Sequence, residues 1–219
     1  MKYAVLGTGM VGVSLATKLI SLGHEVRMGG RDAGNEKAAD WAEEAGETAG
    51  SGTFSDVSAW ADRVIFAVSG GAILDVAAAV GVDAVVGKTV IDVTNPLDFS
   101  HGMPPVLIPE LSNTTSAAEA LQAALPDASV VKTLNTMNHL IMVDPSRVAG
   151  EHDVFLCGDG EEAKAETRAM LAEFGWTDPI DLGPLAAARG LEGMMPFWLR
   201  MWGVVGRADF NYRIVRETA

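Results

Sequence analysis

The sequence contains a single cysteine, Cys157, which excludes an internal disulfide. One thiol fits a reducing compartment, and a first strand expected to begin at the third residue leaves no room for a signal peptide. We therefore expect a cytoplasmic protein. Because Cys157 ends the apolar run 154–157, we expect a buried structural thiol, with a catalytic nucleophile as the alternative.

Basic residues are scarce. The chain has 16 Lys and Arg against 29 Asp and Glu, a formal net charge of -13, and no Lys/Arg cluster. This balance repels the phosphates of nucleic acids and anionic lipid surfaces. Long apolar runs are also missing, since the most apolar late segment, 194–205, is interrupted by Pro196 and Arg200 and is too short to span a bilayer. We expect neither nucleic acid nor membrane as a partner.

The motifs of metal and triad chemistry are missing too. The sequence has no GxSxG or HExxH motif, and its 4 histidines show no paired ligand spacing, so we expect no metal site. His139 follows the loop after a strand, where ligands of open α/β sheets bind, and is a weak candidate for a catalytic contact with substrate. His101 is a weaker candidate for the same reason, and His24 is expected to be structural. No other catalytic residue is assigned.

A glycine-rich run follows the apolar residues 3–6 directly and opens the helical pattern of residues 11–22. In a strand-turn-helix unit, the first glycine allows a tight turn, the second leaves space for a pyrophosphate, and the third lets the helix approach the sheet. Backbone N–H groups and the positive helix end then face the anion. Such a run also occurs as a plain glycine turn, but its place between strand and helix favours a dinucleotide site. The run is Gly7-Thr8-Gly9-Met10-Val11-Gly12.

Apolar strands alternate with helical segments along most of the chain. Strands are predicted at 3–6, 25–28, 53–54, 64–68, 89–93, 129–133, 153–157 and 180–182, and helices at 11–22, 36–45, 72–80, 116–126 and 161–174. This order predicts an α/β fold, a Rossmann-type doubly wound parallel sheet, for a dinucleotide-binding domain at residues 1–182. Residues 183–219 are predicted to form a small, mainly helical C-terminal addition with a tail strand at 210–214, packed on the same domain or at a dimer interface.

The end of the second strand indicates which dinucleotide binds. An NAD site usually places Asp or Glu there, where it accepts hydrogen bonds from the ribose hydroxyls. Gly30 holds that position, and its missing side chain is expected to leave room for a 2′-phosphate that Arg31 meets with charged donors. Asp32 would favour NAD if it pointed inward and is otherwise a surface turn residue; Arg31 could also be a solvated turn charge. On these residues we predict NADP as the cofactor.

Four segments in order, 7–12, 29–32, 131–137 with 157–159, and 182–185 with 188–189, resemble the coenzyme F420-dependent NADP oxidoreductase family of NADPH:F420 reductase-like proteins. The resemblance implies a Rossmann domain with a small C-terminal part, NADP as cofactor, hydride exchange with a deazaflavin, and a homodimer. By position, it implies that the pyrophosphate is held by Thr8, Gly9, Met10 and Val11, the adenosine phosphate by Gly30 and Arg31, and the nicotinamide side by Val68, Ser69, Asn95, Asn135, Thr136 and Met137.

Three functions stay open from the residues. Hydride transfer between NADP(H) and a deazaflavin or similar flat acceptor needs little proton chemistry, so a missing acid-base cluster is compatible with it. An NADPH-dependent reductase of a small carbonyl, imine, flavin or ferric substrate would need a proton donor, for which His139 is the visible candidate. A non-catalytic NADP-binding sensor is the third. The apolar cluster at 194–202 is expected in a core or subunit interface, or as a pliable wall for a flat ring.

Overall fold

The computed structural model describes residues 1–215 and 217. Its strands are β1 (Lys2–Leu6), β2 (Glu25–Gly30), β3 (Ala49–Thr53), β4 (Arg63–Phe66), β5 (Thr89–Asp92), β6 (Leu97–Asp98), β7 (Val106–Leu107), β8 (Ser129–Thr133), β9 (Phe155–Gly158) and β10 (Ile180–Asp181). Its α-helices are α1 (Met10–Ser21), α2 (Glu36–Ala45), α3 (Phe54–Trp60), α4 (Ile73–Val80), α5 (Ala117–Ala124), α6 (His139–Val143), α7 (Glu161–Phe174), α8 (Ala188–Gly193) and α9 (Met195–Val205).

In the described residues, eight strands form one sheet in the order β10-β9-β8-β5-β4-β1-β2-β3. Strands β1 to β5 and β8 run parallel, with Val5 of β1 opposite Met28 of β2 and Ile65 of β4. The predicted Rossmann-type fold with a helical C-terminal part is confirmed. The short strands β6 and β7 form a separate antiparallel pair after β5.

The alternation of strands and helices had predicted a parallel sheet, but one pair of strands in the sheet is antiparallel. Strand β9 runs antiparallel to β8, with Thr133 opposite Leu156, and β10 runs parallel to β9. A parallel crossover usually needs a helix that carries the chain back along the sheet. The helix between β8 and β9, α6, has 5 residues, and the chain enters β9 from the edge of the sheet at which β8 ends.

Both faces of the sheet are covered, because alternate strand residues point to opposite sides. Val5 packs in a core with side chains of α1, α2, α6 and α7, and Leu6 packs in a second core with side chains of α3, α4, α5 and α8. Leu185, Ala188 and Leu191 belong to the second core, so the start of the C-terminal segment packs on the same sheet as the residues before it. The division of the chain into two domains between residues 182 and 183 stays a prediction.

The predicted tail strand at 210–214 is wrong, because these residues have no strand structure. One backbone bond, from the N–H of Asp153 to the carbonyl oxygen of Tyr212 at 2.8 Å, is not extended into a ladder. The alternating aromatic residues instead pack on α9: Phe210 stacks on Trp198 with ring centroids 5.2 Å apart, and Tyr212 stacks on Phe197 at 6.1 Å.

The first residues of α5 and α3 are fixed by side-chain caps. At α5 the predicted cap is confirmed, since Ser116 Oγ accepts the N–H of Glu119 at 3.1 Å and donates to its carboxylate at 2.8 Å. At α3 the cap is Thr53, whose Oγ1 accepts the N–H of Asp56, so the predicted strand at 53–54 ends one residue earlier.

Among residues 1–215 and 217, none of the helices combines the length and apolar character needed to cross a bilayer.

Candidate functional site

The turn between β1 and α1 requires glycine at two positions. Gly7 has φ +120°, and a Cβ atom there would lie 2.5 Å from the carbonyl oxygen of Ala67. Its N–H donates to the carbonyl oxygen of Gly29 at 3.1 Å, which ties the turn to the end of β2. A Cβ atom on Gly12 would lie 2.0 Å from the carbonyl oxygen of Gly7, so α1 can approach the turn only with glycine there.

The N terminus of α1 is open. Gly9 is its N-cap residue, and among the described residues no side chain caps it and no heavy atom lies within 4 Å of where its Cβ atom would stand. Thr8 and Val11 are partly buried beside it, and Met10 is 73% exposed. The first N–H groups of a helix have no partner within it and carry its positive end. This space therefore fits an anion such as a pyrophosphate.

The end of β2 differs from what the sequence had suggested. A Cβ atom on Gly30 would lie 2.8 Å from Cβ and 3.0 Å from Cγ of Asn35, so the space beside Gly30 is filled by Asn35 rather than empty. Arg31 is exposed, and within the described part of the chain it has no ion-pair partner. Asp32 is exposed as well, and its carbonyl oxygen accepts the N–H of Asn35 at 3.2 Å.

The loops after β4, β5 and β8 lie next to the glycine turn at the carboxyl edge of the parallel strands. Val68 Cγ1 is 3.3 Å from the position of a Cβ atom on Gly7, and Ser69 follows as an exposed residue. A Cβ atom on Gly70 would lie 2.0 Å from the carbonyl oxygen of Asn95, so the next loop approaches here at backbone distance. This edge is where ligands of open α/β sheets bind.

Asn95 and Asn135 are joined by two hydrogen bonds. Asn95 Nδ2 donates to the carbonyl oxygen of Asn135 at 2.8 Å, and Asn135 Nδ2 donates to Asn95 Oδ1 at 2.9 Å. Asn135 is 2% exposed, and its Oδ1 has no hydrogen-bond partner among the described residues. Thr136 and Met137 are buried in the same loop. A buried oxygen without a partner is costly, so a group with an N–H donor, such as the carboxamide of nicotinamide, would satisfy it.

His139 begins α6 and contacts α1 rather than the paired asparagines. Its Nδ1 lies 2.7 Å from Ser14 Oγ. Burial, helped by the positive charge of Arg147, lowers the pKa of His139 below its ordinary value and so favours the neutral imidazole. His101 is exposed in the loop between β6 and β7, and His24 pairs with Glu173 at 2.8 Å, which fits its expected structural role.

The structure contains a buried charge cluster that the sequence analysis missed. Lys132 on β8 is fully buried, and its Nζ lies 2.9 Å from Asp92 Oδ2 and 2.8 Å from Glu192 Oε1. The same Nζ donates to the carbonyl oxygen of Thr94 at 2.6 Å, directly before Asn95. The available signal was a lysine inside the apolar run 130–134, together with an aspartate that ends the buried strand β5.

Glu192 also connects the charge cluster to helix α5 through hydrogen bonds. Its two carboxylate oxygens accept the N–H groups of Ala117 and Ala118 at 2.8 and 3.2 Å, at the N terminus of α5. Burial raises the pKa of Glu192. Burial alone would lower the pKa of Lys132, but the facing carboxylates of Asp92 and Glu192 outweigh it and raise the pKa, which keeps the ammonium charged.

Cys157 is buried on β9, and burial raises the pKa of its thiol to about 12. The thiol therefore stays protonated at neutral pH, which agrees with the expected structural role of Cys157. Among residues 1–215 and 217, no group of three or more His, Cys, Asp or Glu side chains is placed to hold a metal ion.

A turn that requires glycine at two positions, an open helix N terminus and a buried amide oxygen at the same sheet edge are typical of a dinucleotide-binding protein of the Rossmann class. Comparisons with known proteins identify the family. A family model described as "NADP oxidoreductase coenzyme F420-dependent" matches residues 2–96. The F420-dependent NADP reductase of Methanothermobacter thermautotrophicus is 30% identical over 211 residues, covering 92% of this chain and 89% of that enzyme.

A crystal structure of a candidate F420-dependent NADP reductase from Arthrobacter sp. FB24 is 46% identical, with a TM-score of 0.92, and covers 99% of this chain and 100% of that one. The metalloreductase STEAP3 of Rattus norvegicus is 29% identical over 201 residues, which are 90% of this chain but 38% of STEAP3. The chain belongs to the coenzyme F420-dependent NADP oxidoreductase family and is an NADP-dependent oxidoreductase.

Proposed function

We propose that this enzyme transfers a hydride between NADP(H) and a deazaflavin, coenzyme F420, or a similar flat acceptor. The observation that carries the proposal is the likeness to the F420-dependent NADP reductase over 89% of that enzyme's length. The site supports it, because hydride transfer between two flat rings needs their reacting atoms held at about 3 to 3.5 Å and little proton chemistry. His139, the candidate proton donor, contacts α1 rather than the paired asparagines and is hydrogen-bonded to Ser14.

Different residues of the site would bind different parts of the cofactor. Bound NADPH supplies the hydride from its nicotinamide ring. Gly7 to Gly12 would leave the first N–H groups of α1 free for the pyrophosphate, with Thr8, Met10 and Val11 around it. Gly30 and Arg31 would face the adenosine phosphate. The nicotinamide side would be enclosed by Val68, Ser69 and the buried loop with Thr136 and Met137. Asn135 Oδ1 in this loop has no hydrogen-bond partner among the described residues and could accept a hydrogen bond from the cofactor.

A second candidate is NADPH-dependent reduction of a small carbonyl, imine, flavin or ferric substrate. The likeness to the metalloreductase STEAP3 over 90% of this chain favours the ferric substrate, although this chain spans 38% of that protein. Carbonyl and imine substrates need a proton as well as a hydride, which gives His139 a role that the deazaflavin does not require. A sensor that binds NADP without turnover is the remaining alternative.

We also propose that the enzyme is a homodimer whose interface includes α9. In this helix Phe197 is 58% exposed and Val204 82% exposed. A cavity of about 570 Å³ between α9 and the loop at Met103 and Pro104 is lined by further apolar groups, including Trp202. Exposed apolar surface of this kind is typical of subunit interfaces, and a flat acceptor could share it. The cytoplasmic location stays a prediction from composition.

The test compares acceptors under identical conditions. The purified full chain is mixed with NADPH and, separately, with the deazaflavin, a flavin, a ferric chelate and a cyclic imine, while nicotinamide absorbance is followed. Rapid bleaching with the deazaflavin supports the proposal. Tight NADPH binding without deazaflavin turnover refutes it, and turnover with the ferric chelate or the imine alone favours the second candidate. Gly9→Asp serves as the control, because it adds a negative side chain in open space at the expected pyrophosphate position.

A further inference from the structure

The side chain of Asn35 occupies the space that a side chain on Gly30 would fill. The Cβ position of Gly30 lies 2.8 Å from Asn35 Cβ, 3.0 Å from Cγ and 3.2 Å from Nδ2. Any other residue at Gly30 would collide with Asn35, so the glycine and the asparagine occupy one space together. In a Rossmann fold, the side chain at the end of the second strand meets the 2′ position of the adenosine ribose. Here the amide of Asn35 fills the space at that position.

The orientation of this amide is set by α2. Asn35 is the N-cap residue, and its Oδ1 accepts the N–H of Ala38 at 3.1 Å. Because a backbone N–H can only donate, the oxygen must be the atom that faces it, which leaves Nδ2 with two N–H donors. Among the described residues, these donors make no hydrogen bond, and the side chain bonds only to the N–H of Ala38. The group beside Gly30 is therefore a donor, whereas an NAD site places an acceptor there.

Net charge does not explain a preference for a phosphate at this place. Arg31 and Lys37 are balanced by Asp32 and Glu36, and all four side chains are exposed. Exposed charges that cancel have little effect at a distance, so selection depends on donors held close to the ligand. Arg31 is one such donor, and the helix-bound amide of Asn35 is another.

We propose that Asn35 Nδ2 donates a hydrogen bond to the 2′-phosphate of NADP and, with Arg31, makes the enzyme select NADP over NAD. This inference rests on the proposed placement of the adenosine phosphate at Gly30 and Arg31. The amide would leave the ribose hydroxyls of NAD with no carboxylate to accept from them. Asn35 is then both the cap of α2 and a specificity residue of the cofactor site.

Asn35→Asp separates these two roles. Aspartate caps a helix as well as asparagine does, so α2 keeps its start. The substitution replaces the amide N–H donors by a carboxylate oxygen, which repels a phosphate and accepts from ribose hydroxyls. Asn35→Ser is the matched variant: it keeps a capping oxygen but removes the amide without adding a charge.

The experiment measures the dissociation constants of NADPH and NADH by calorimetry on the full chain, with the melting temperature of each variant. We expect the wild type to prefer NADPH, Asn35→Asp to lower the NADPH-to-NADH affinity ratio about 10-fold to 100-fold at an unchanged melting temperature, and Asn35→Ser to lower it less. If Asn35→Asp does not fold, the ratio for Asn35→Ser decides. A wild-type ratio retained in the variants overturns this inference alone, and a wild type that binds neither nucleotide overturns the proposed function with it.

Discussion

Lys132 and Glu192 form a buried ion pair, with 2.8 Å between Nζ and Oε1 and side chains that are 0% and 2% exposed. The first residue lies on β8 and the second on α8, so the pair ties the C-terminal helices to the sheet. Because Lys132 also donates to the carbonyl oxygen of Thr94, it holds the backbone beside Asn95. The C-terminal segment and the nicotinamide-side loops are thus connected through one ammonium group.

Lys132→Met is expected to destabilise the protein by about 3–5 kcal/mol, because it leaves the buried carboxylates of Asp92 and Glu192 without a cation. Urea denaturation measures the free energy of unfolding. Arg189→Met is the control: its pair with Glu119 at 2.6 Å is at the surface, where such a pair contributes about 0–1 kcal/mol. Equal effects of the two substitutions would contradict the importance of the buried cluster.

Gly9→Asp is expected to abolish NADPH binding while the melting temperature stays unchanged, because the added side chain enters open space and carries a charge like that of the pyrophosphate. Gly12→Ala is the contrasting variant. Its Cβ atom would lie 2.0 Å from the carbonyl oxygen of Gly7, so it should lower the melting temperature. Fluorescence titration with NADPH and thermal melts measure both effects. Normal NADPH affinity in Gly9→Asp would contradict the placement of the pyrophosphate.

Arg31→Ala is expected to weaken NADPH binding about 10-fold to 100-fold and NADH binding hardly at all, because a charge-assisted hydrogen bond to the 2′-phosphate contributes roughly 1.5–3 kcal/mol. Arg31→Lys keeps the charge but loses the forked donors, so its affinity for NADPH should lie between those of the wild type and Arg31→Ala. Calorimetry with each nucleotide gives the affinities. An equal loss for NADPH and NADH would refute the assignment of Arg31 to the phosphate.

The stability of the wild type should contain a component from His139 that falls as the pH drops below about 6.5. Burial lowers the pKa of His139 in the folded state, so below the unfolded pKa the unfolded chain binds more protons than the folded one. This component is present above the unfolded pKa and is lost on acidification. His139→Asn should lack it. Free energies of unfolding of both proteins at pH 5.5 and 7.5 provide the comparison, and identical pH dependence would contradict the prediction.

Val204→Asp is expected to shift the protein from dimer to monomer, because Val204 is 82% exposed on α9 and a charge there cannot be buried in an apolar interface. Light scattering after size-exclusion chromatography measures the mass. The control is Leu74→Asp on α4, whose side chain is 44% exposed at a distance in sequence from α9. A wild type that is monomeric at assay concentrations would refute the homodimer.

Local patterns predicted much of the fold. The helix at 36–45, the strand at 129–133 and the helix at 161–174 agree with the structure at both ends. The cap at Ser116 and the turn at Gly7 were equally readable, because both depend on residues close in the sequence. The reversed direction of β9 was not, since strands of either direction show similar apolar runs.

At the candidate site, the glycine run was predicted from its place between a strand and a helix, and the loops after β4, β5 and β8 were implied by the family resemblance. The structure brings Gly7, Val68, Asn95 and Asn135 into one connected edge. The sequence could not show that Asn35 fills the space at Gly30, because that contact depends on the path of the chain between β2 and α2. It also suggested a strand at the tail, where tertiary packing on aromatic side chains prevailed.

The sequence by itself determined most of the elements and the dinucleotide turn, because hydrophobic period, caps and glycine conformations act over a few residues. Only the tertiary structure decided that Lys132 meets Asp92 and Glu192, since a buried charge is stable only where distant segments supply its partners. The same is true of the donor beside Gly30: which atom faces a ligand depends on how separate segments pack, and no local pattern specifies it.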